Sequence, residues 1–172
     1  MQELKVLIET QVSTGGERLS FWFDLPIDLA EFEAKLGIRA DSEDYRIIEK
    51  EVPFADEVHE QTNVYQLNEL AFMYRRLPVN IQEAYITLLP MYERLEALYL
   101  CRNEITVYPN CNSMIDVARQ KLMNDPTFHY LSEDCQAYYF DYEAYAEHLQ
   151  EHGNFLVTEH GIFELSQQEP RG

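Results

Sequence analysis

Residues 147–153, EHLQEHG, carry two histidines at a spacing that can hold a metal ion. His148 and His152 are four residues apart, so on a helix they share one face, and Glu151 beside them is a candidate general base. The string HLQEH fits the H-x-x-E-H pattern of the inverted zinc peptidases. Such a site also needs a third protein ligand, and short patterns arise by chance in a chain rich in Glu. We therefore expect no metal and no cofactor, with a zinc peptidase as one alternative.

The same segment carries a row of three carboxylates. Glu143, Glu147 and Glu151 recur every four residues and so follow one face of a helix. Like charges at this spacing repel one another by about 0.2–0.5 kcal/mol per pair. The row of carboxylates is therefore either an ordinary solvated face of the helix or a face that binds a cationic partner.

The elements that would position these side chains form a C-terminal α+β unit, residues 104–172. Asp141 is a suitable N-cap for a helix that begins at Tyr142, and Gly153 is a suitable end for it. The same unit contains a strand predicted at 105–108, a helix predicted at 113–123 and a closing β-hairpin around residues 154–165.

Two further units precede this one. Residues 4–12 and 18–23 flank Ser13–Gly16, which predicts a hairpin. Asp28 and Gly37 bound a predicted helix at 29–36, and a third strand is predicted at 45–52, so residues 1–61 form a ββαβ unit. Residues 62–103 have helical spacing interrupted by Pro78 and Pro90 and predict a small helical bundle. The predicted fold class is α+β, a chain of three small subdomains.

The charge of the chain is strongly negative. The 172 residues include 31 acids against 13 Lys and Arg, a net charge of −18. Residues 1–61 and 104–172 each carry −9, whereas residues 62–103 are neutral. A field of this sign repels nucleic acid and anionic membranes and attracts proteins with basic grooves. Acidity also serves solubility, but solubility alone does not predict this uneven distribution.

Other features of the composition indicate a cytoplasmic protein. The chain is 46% hydrophobic, which suffices for a core. No apolar run approaches the roughly 18 residues of a membrane span, and the N-terminus lacks the layout of a secretory signal. The three cysteines form no C-x-x-C and leave an odd count, so we expect reduced thiols.

Four segments resemble a known family in their order and spacing. They are FWFDLPIDLAEFEAKLGI, YQLNEL, CNSMIDVARQKL and FDYEAYAEHLQEHGNFLVTEHGIFEL. From about Leu4 to Leu165 the chain closely resembles the ArdA antirestriction family of plasmids and conjugative transposons. The resemblance implies an elongated, curved DNA mimic of three small domains that dimerises through its C-terminal domain. It also implies binding to type I restriction-modification enzymes in competition with DNA for their methyltransferase core, without catalysis. An acidic module that sequesters another basic DNA-binding protein is the alternative.

The resemblance makes exposed acids the candidate partner-binding residues, standing in for phosphates. In the C-terminal unit they are Asp116, Asp125, Glu133, Asp134, Asp141, Glu143, Glu147 and Glu151. In the N-terminal unit they are Asp41, Glu43, Asp44, Glu49, Glu51, Asp56, Glu57 and Glu60. Asp141 also fits a capping role and Asp116 an ion pair with Arg119. We expect one lost charge to cost little and several together to cost much.

Two further expectations concern the dimer and the neutral middle segment. Ile105, Val107 and Tyr108 predict an edge strand that pairs across a two-fold axis. A continuous mimic also requires the few central acids to share a face and the central arginines to pair or turn away. These acids are Glu69, Glu83, Glu93 and Glu96, and the arginines are Arg75, Arg76, Arg94 and Arg102.

Overall fold

A computed structural model describes residues 3–11 and 18–165 of the chain, except for the side chains of residues 137 and 138. These residues contain eight α-helices and two three-stranded antiparallel sheets, which confirms the α+β class. The elements are β1 Lys5–Thr10, β2 Ser20–Asp24, α1 Leu29–Leu36, β3 Tyr45–Glu51, α2 Val64–Arg75, α3 Val79–Glu83, α4 Tyr85–Tyr92, α5 Leu95–Cys101, β4 Thr106–Tyr108, α6 Met114–Met123, α7 Pro126–His129, α8 Tyr142–His152, β5 Phe155–Thr158 and β6 Gly161–Glu164. Within the described residues, every helix is too short or too polar to traverse a lipid bilayer.

Contacts divide the chain into two compact units. Unit 1 comprises residues 1–77 and 89–99, and unit 2 comprises residues 78–88 and 100–172. Each unit carries a net charge of −9, from 18 acids and nine Lys and Arg in unit 1 and 13 acids and four in unit 2. The three subdomains expected from the sequence, with boundaries at 61 and 103, stay a prediction.

Unit 1 is built on the sheet β2-β1-β3. Alternate residues of β1 point to opposite faces, and Val6 and Ile8 are fully buried. Phe32 of α1 is also fully buried, and its ring contacts those of Phe23 and Tyr45. The register of β1 against β3 shifts between Leu7 and Ile8, which leaves Ile48 as an extra residue on β3. Ile48 is 41% exposed as a result.

The predicted ends of α1 are confirmed. The Asp28 carboxylate accepts a hydrogen bond from the backbone N–H of Ala30 at 2.9 Å. Gly37 ends the helix with φ of 68°, a left-handed conformation that costs glycine little. The predicted hairpin turn Ser13–Gly16 lies outside the described residues.

The prediction that Pro90 separates two helices is wrong. Pro90 lies inside α4, which continues to Tyr92. Proline removes one backbone donor from a helix, and Pro90 is exposed, so the lost bond lies on the solvent side of α4. The chain turns instead at Glu93, which has φ of 70°, and α5 begins at Leu95.

In unit 2, α6 and α8 pack against each other and share a core with the sheet β4-β6-β5. The core consists of Tyr108, Cys111, Met114, Val117, Ala118, Ala146 and Ile162, with Ile115, Tyr145, Leu149 and Phe155 packed against it. Glu164 ties the sheet to α6, because its carboxylate accepts a hydrogen bond from the Tyr108 hydroxyl at 2.9 Å and pairs with Lys121 at 3.0 Å. Burial, together with this hydrogen bond, raises the pKa of the Tyr108 hydroxyl, so Tyr108 stays a donor at neutral pH.

Candidate partner-binding surface

Helix α8 is held with one face inward by local and core contacts. Asp141 caps it by accepting a hydrogen bond from the N–H of Ala144 at 3.0 Å, and the N–H of Gly153 closes the last turn on the Leu149 carbonyl at 2.7 Å. Ala146 is buried, and Tyr145 packs beside it on the core of unit 2. The opposite face of α8 is therefore directed to solvent, as the sequence predicts.

Three carboxylates lie on the exposed side of α8. Glu143, Glu147 and Glu151, called here the acidic stripe, are all exposed, and none forms an ion pair with any residue the structure describes. The nearest cations along the chain are engaged elsewhere. The guanidinium of Arg119 lies 5.2 Å from the centre of the Tyr142 ring, and Lys121 pairs with Glu164. No Lys or Arg occurs between Lys121 and Arg171, and no cation in the described part of the chain pairs with the stripe.

The other predicted acids of unit 2 have mixed roles. Asp125 caps α7 by accepting a hydrogen bond from the N–H of Thr127 at 2.9 Å, a role that the dipeptide Asp-Pro indicates. Asp116 is half-buried and accepts from the N–H of Asn112 at 3.0 Å, while Arg119 stacks on Tyr142 instead of pairing with it.

Glu133 and Asp134 are exposed on the segment that joins α7 to α8. Aromatic contacts hold the ends of this segment together. The rings of Phe128 and Phe140 lie 5.2 Å apart, and Phe140 and Tyr142 lie 5.0 Å apart. The acids of this segment are thus carried on a packed support.

In unit 1, Glu49 and Glu51 share one face of the sheet. Glu49 lies opposite Leu7 and Glu51 opposite Lys5, on the face away from buried Val6 and Ile8. The Lys5 ammonium pairs with Glu51 at 3.3 Å and takes up part of its charge.

Lys50 donates a hydrogen bond to the Val58 carbonyl, and Glu49 forms no ion pair within the described residues. Two other candidates are paired, Asp41 with Arg39 and Glu60 with Arg46, each at 3.2 Å. Glu43, Asp44 and Asp56 are exposed.

Glu57 has a structural role that the sequence does not reveal. Its carboxylate accepts a hydrogen bond at 2.9 Å from the backbone N–H of Leu95, the first residue of α5 and 38 positions away. Glu57 is half-buried and anchors the start of α5 within unit 1.

We expect Glu57→Ala to lower the free energy of unfolding by about 1 kcal/mol, because it leaves the helix without its cap. Asp56→Ala is the matched control, since Asp56 is exposed and makes no hydrogen bond in the described structure. Urea unfolding of both variants measures the difference. Equal midpoints for the two variants would contradict the capping role.

The central acids are not all separated from the central arginines. Glu69 and Glu96 line a cavity of about 420 Å³ in unit 1, together with Glu57 and Arg94. Arg75 donates a hydrogen bond to the Leu25 carbonyl at 3.2 Å.

Arg76 packs 4.0 Å from the centre of the Phe72 ring. Arg75 and Arg76 therefore have local partners in unit 1, whereas Arg94 lies among the acids that line the cavity. The cavity is a mixed rather than a purely acidic surface.

The family follows from a comparison with family models. The model of the antirestriction protein ArdA matches residues 14–164, most of the chain. The chain belongs to the ArdA family. A search of curated proteins found no match. The matched residues include α8, the sheet β4-β6-β5 and the helical segment before it, together with β2 and β3 of the first sheet, whereas β1 precedes the match. The acidic stripe therefore lies within the region that matches the family.

The two histidines of α8 are the ligands that the alternative zinc peptidase would use. His148 and His152 are exposed, and their ring centres lie 4.5 Å apart. Within residues 3–11 and 18–165, no group of three or more His, Cys, Asp or Glu converges on a point that could hold a metal ion. A peptidase-type zinc centre, with three protein ligands, is thus not assembled in the described part of the chain.

Strand β4 has the edge position expected for a dimer strand. It pairs with β6 on one side in the order β4-β6-β5. The side chains of Ile105 and Tyr108 are buried within unit 2, and Val107 is half-buried. Pairing across a two-fold axis would therefore use the backbone of β4 and the side chain of Val107.

Proposed function

We propose that this ArdA-family protein inhibits type I restriction-modification enzymes by occupying their DNA-binding groove in place of DNA. The observation that carries the proposal is the acidic stripe, three exposed carboxylates that no described cation neutralises. Family membership supports the antirestriction role, and the net charge of −18 supports a basic target.

The spacing of the stripe suits a groove that is shaped for phosphates. Four residues of α-helix rise about 6 Å, so the carboxylates recur at about that interval. Adjacent phosphates on one DNA strand are roughly 6–7 Å apart, from the geometry of a duplex. Because α8 is fixed by its cap and its buried face, the charges are held in place before docking, which limits the entropy lost on binding.

The direct test is displacement of DNA from a purified type I methyltransferase core. A fluorescent duplex containing the target site is bound to the enzyme at low salt, and the protein is added in increasing amounts. We expect the fluorescence anisotropy to fall to the value of free DNA, and the required concentration to rise steeply with salt, because binding releases ions from the groove. DNA that stays bound at a large excess of the protein would refute the proposal. Displacement from an unrelated basic DNA-binding protein alone would instead favour the sequestering module.

The proposal includes a homodimer that pairs through β4. Sedimentation equilibrium should give about twice the chain mass of 20.3 kDa. Val107→Lys should shift the mass toward that of a monomer, because it places a charge at the edge of the sheet. Val157→Lys is the matched control, since Val157 is 53% exposed on β5, the other edge strand. A monomeric wild-type protein would exclude the dimer without bearing on the docking of α8.

A further inference from the structure

We propose that His148 and His152 form a two-histidine site on α8 for a divalent transition-metal ion with cis-coordination, of the Cu²⁺ or Ni²⁺ type. The site is a surface ligand site, distinct from the three-ligand zinc centre of a peptidase. It needs no rearrangement of the fold, because both rings already lie side by side in solvent.

The distance between the rings is compatible with two adjacent coordination positions of one ion. An ion at the usual nitrogen–metal distance of about 2.0–2.1 Å lies about 3.2 Å from the centre of an imidazole ring. Ring centres 4.5 Å apart then subtend an angle of about 90° at the ion, when one nitrogen of each ring points toward it. A tetrahedral ion would need ring centres about 5.2 Å apart. The observed separation is thus compatible with adjacent positions of a square-planar or octahedral ion, the geometries that Cu²⁺ and Ni²⁺ adopt.

The surroundings of the pair favour a cation. Glu147 and Glu151 each precede one of the histidines, and Glu151 is three residues after His148, on the same side of the helix. Neither carboxylate is neutralised by a described cation, so the local potential attracts a divalent ion. The remaining coordination positions are open to water, since no third protein ligand converges there in the described part of the chain.

The consequence of binding rests on the proposed function. A divalent ion on His148 and His152 adds two positive charges beside a stripe of three negative charges. The stripe would then present a net charge of about −1 to a basic groove. Metal binding and partner docking would therefore oppose each other.

The test of the site needs no restriction enzyme. Protein without a polyhistidine tag is titrated with Ni²⁺ and with Cu²⁺ by calorimetry. We expect one site whose affinity falls about tenfold or more in His148→Ala and in His152→Ala, because each variant loses the chelating partner. His160→Ala is the matched control, an exposed histidine away from α8, and should bind as the wild type does. Alanine at solvent-facing helix positions preserves the fold, which circular dichroism checks.

Paramagnetic resonance of the Cu²⁺ form reports the geometry. We expect a tetragonal spectrum with coupling to two nitrogens in the wild type and fewer in His148→Ala. Equal affinity of the wild type and both variants would overturn the site, as would tighter binding of Zn²⁺ than of Cu²⁺. Ni²⁺ should also weaken DNA displacement by the wild type but not by His148→Ala. Failure of displacement without metal would refute the proposed function and leave the calorimetric result standing.

Discussion

Replacing Glu143, Glu147 and Glu151 together by Gln should weaken binding to a type I methyltransferase by roughly 30-fold, about 2 kcal/mol. Each single replacement should cost only a few tenths to 1 kcal/mol, because exposed charges in high dielectric contribute little one at a time. The three carboxylates are exposed and lack ion pairs among the described residues, so their removal breaks no internal contact. The measurement is the concentration of each variant that displaces half of the bound DNA.

The stability of the triple variant separates lost binding from lost folding. Removing two like-charged pairs relieves about 0.4–1 kcal/mol of repulsion in α8. The helix dipole favours Glu143 in the first turn and opposes Glu151 in the last, so these two contributions nearly cancel. The variant should therefore bind more weakly while unfolding at the same or a higher urea concentration. Weaker binding with a lower unfolding midpoint would assign the loss to misfolding.

The control must carry the same net charge. Glu3, Glu104 and Glu159 are also exposed and are neither candidate binding residues nor central acids. Their triple replacement by Gln should weaken binding by less than about threefold, because only the field far from the contact changes. Raising the salt concentration should narrow the difference between the two triple variants, since the stripe acts through counter-ion release. Equal losses in the two variants would mean that net charge, not the stripe, determines binding.

The structure shows which parts of the site are encoded locally. The caps Asp28 and Asp141 act within three residues of their own positions, and the sequence predicts both. Asp125 is an equally local cap, although the sequence analysis names it only as a binding acid. The outward face of α8 follows in the same way from helical spacing and the apolar residues Ala146 and Leu149.

Other parts depend on residues distant in the chain. The bond from Leu95 to Glu57 spans 38 positions, and no local pattern distinguishes Glu57 from its exposed neighbour Asp56. Ile48 is an extra residue only in the pairing of β3 with β1, so the sequence of β3 alone does not reveal it. Pro90 is a case in which the local pattern is misleading. Proline predicts a helix break, but α4 continues through Pro90 to Tyr92. A list of acids read from sequence therefore mixes free charges with structural ones.

Gly161→Ala should destabilise unit 2 by about 2–4 kcal/mol, the largest effect expected of a single substitution outside the core. Gly161 opens β6 with φ of 116°, a conformation that residues with a Cβ rarely adopt. A Cβ there would lie 2.9 Å from the Tyr108 carbonyl oxygen and 3.1 Å from the Cα of Pro109. The Tyr108 carbonyl is itself held by the N–H of Cys111 at 3.3 Å, so strand β4 cannot yield without losing that bond.

Gly37→Ala separates the cost of backbone strain from the cost of the steric clash at Gly161. Gly37 also has a positive φ, 68°, but nothing lies within 4 Å of the position that its Cβ would occupy. Its replacement should cost about 1–2 kcal/mol from backbone strain alone. Urea unfolding, followed by circular dichroism, should therefore give a clearly lower midpoint concentration for Gly161→Ala than for Gly37→Ala. Equal midpoints would show that β4 moves away from the added Cβ at little cost. An edge strand that moves so easily could not form a defined interface with a second copy of the chain.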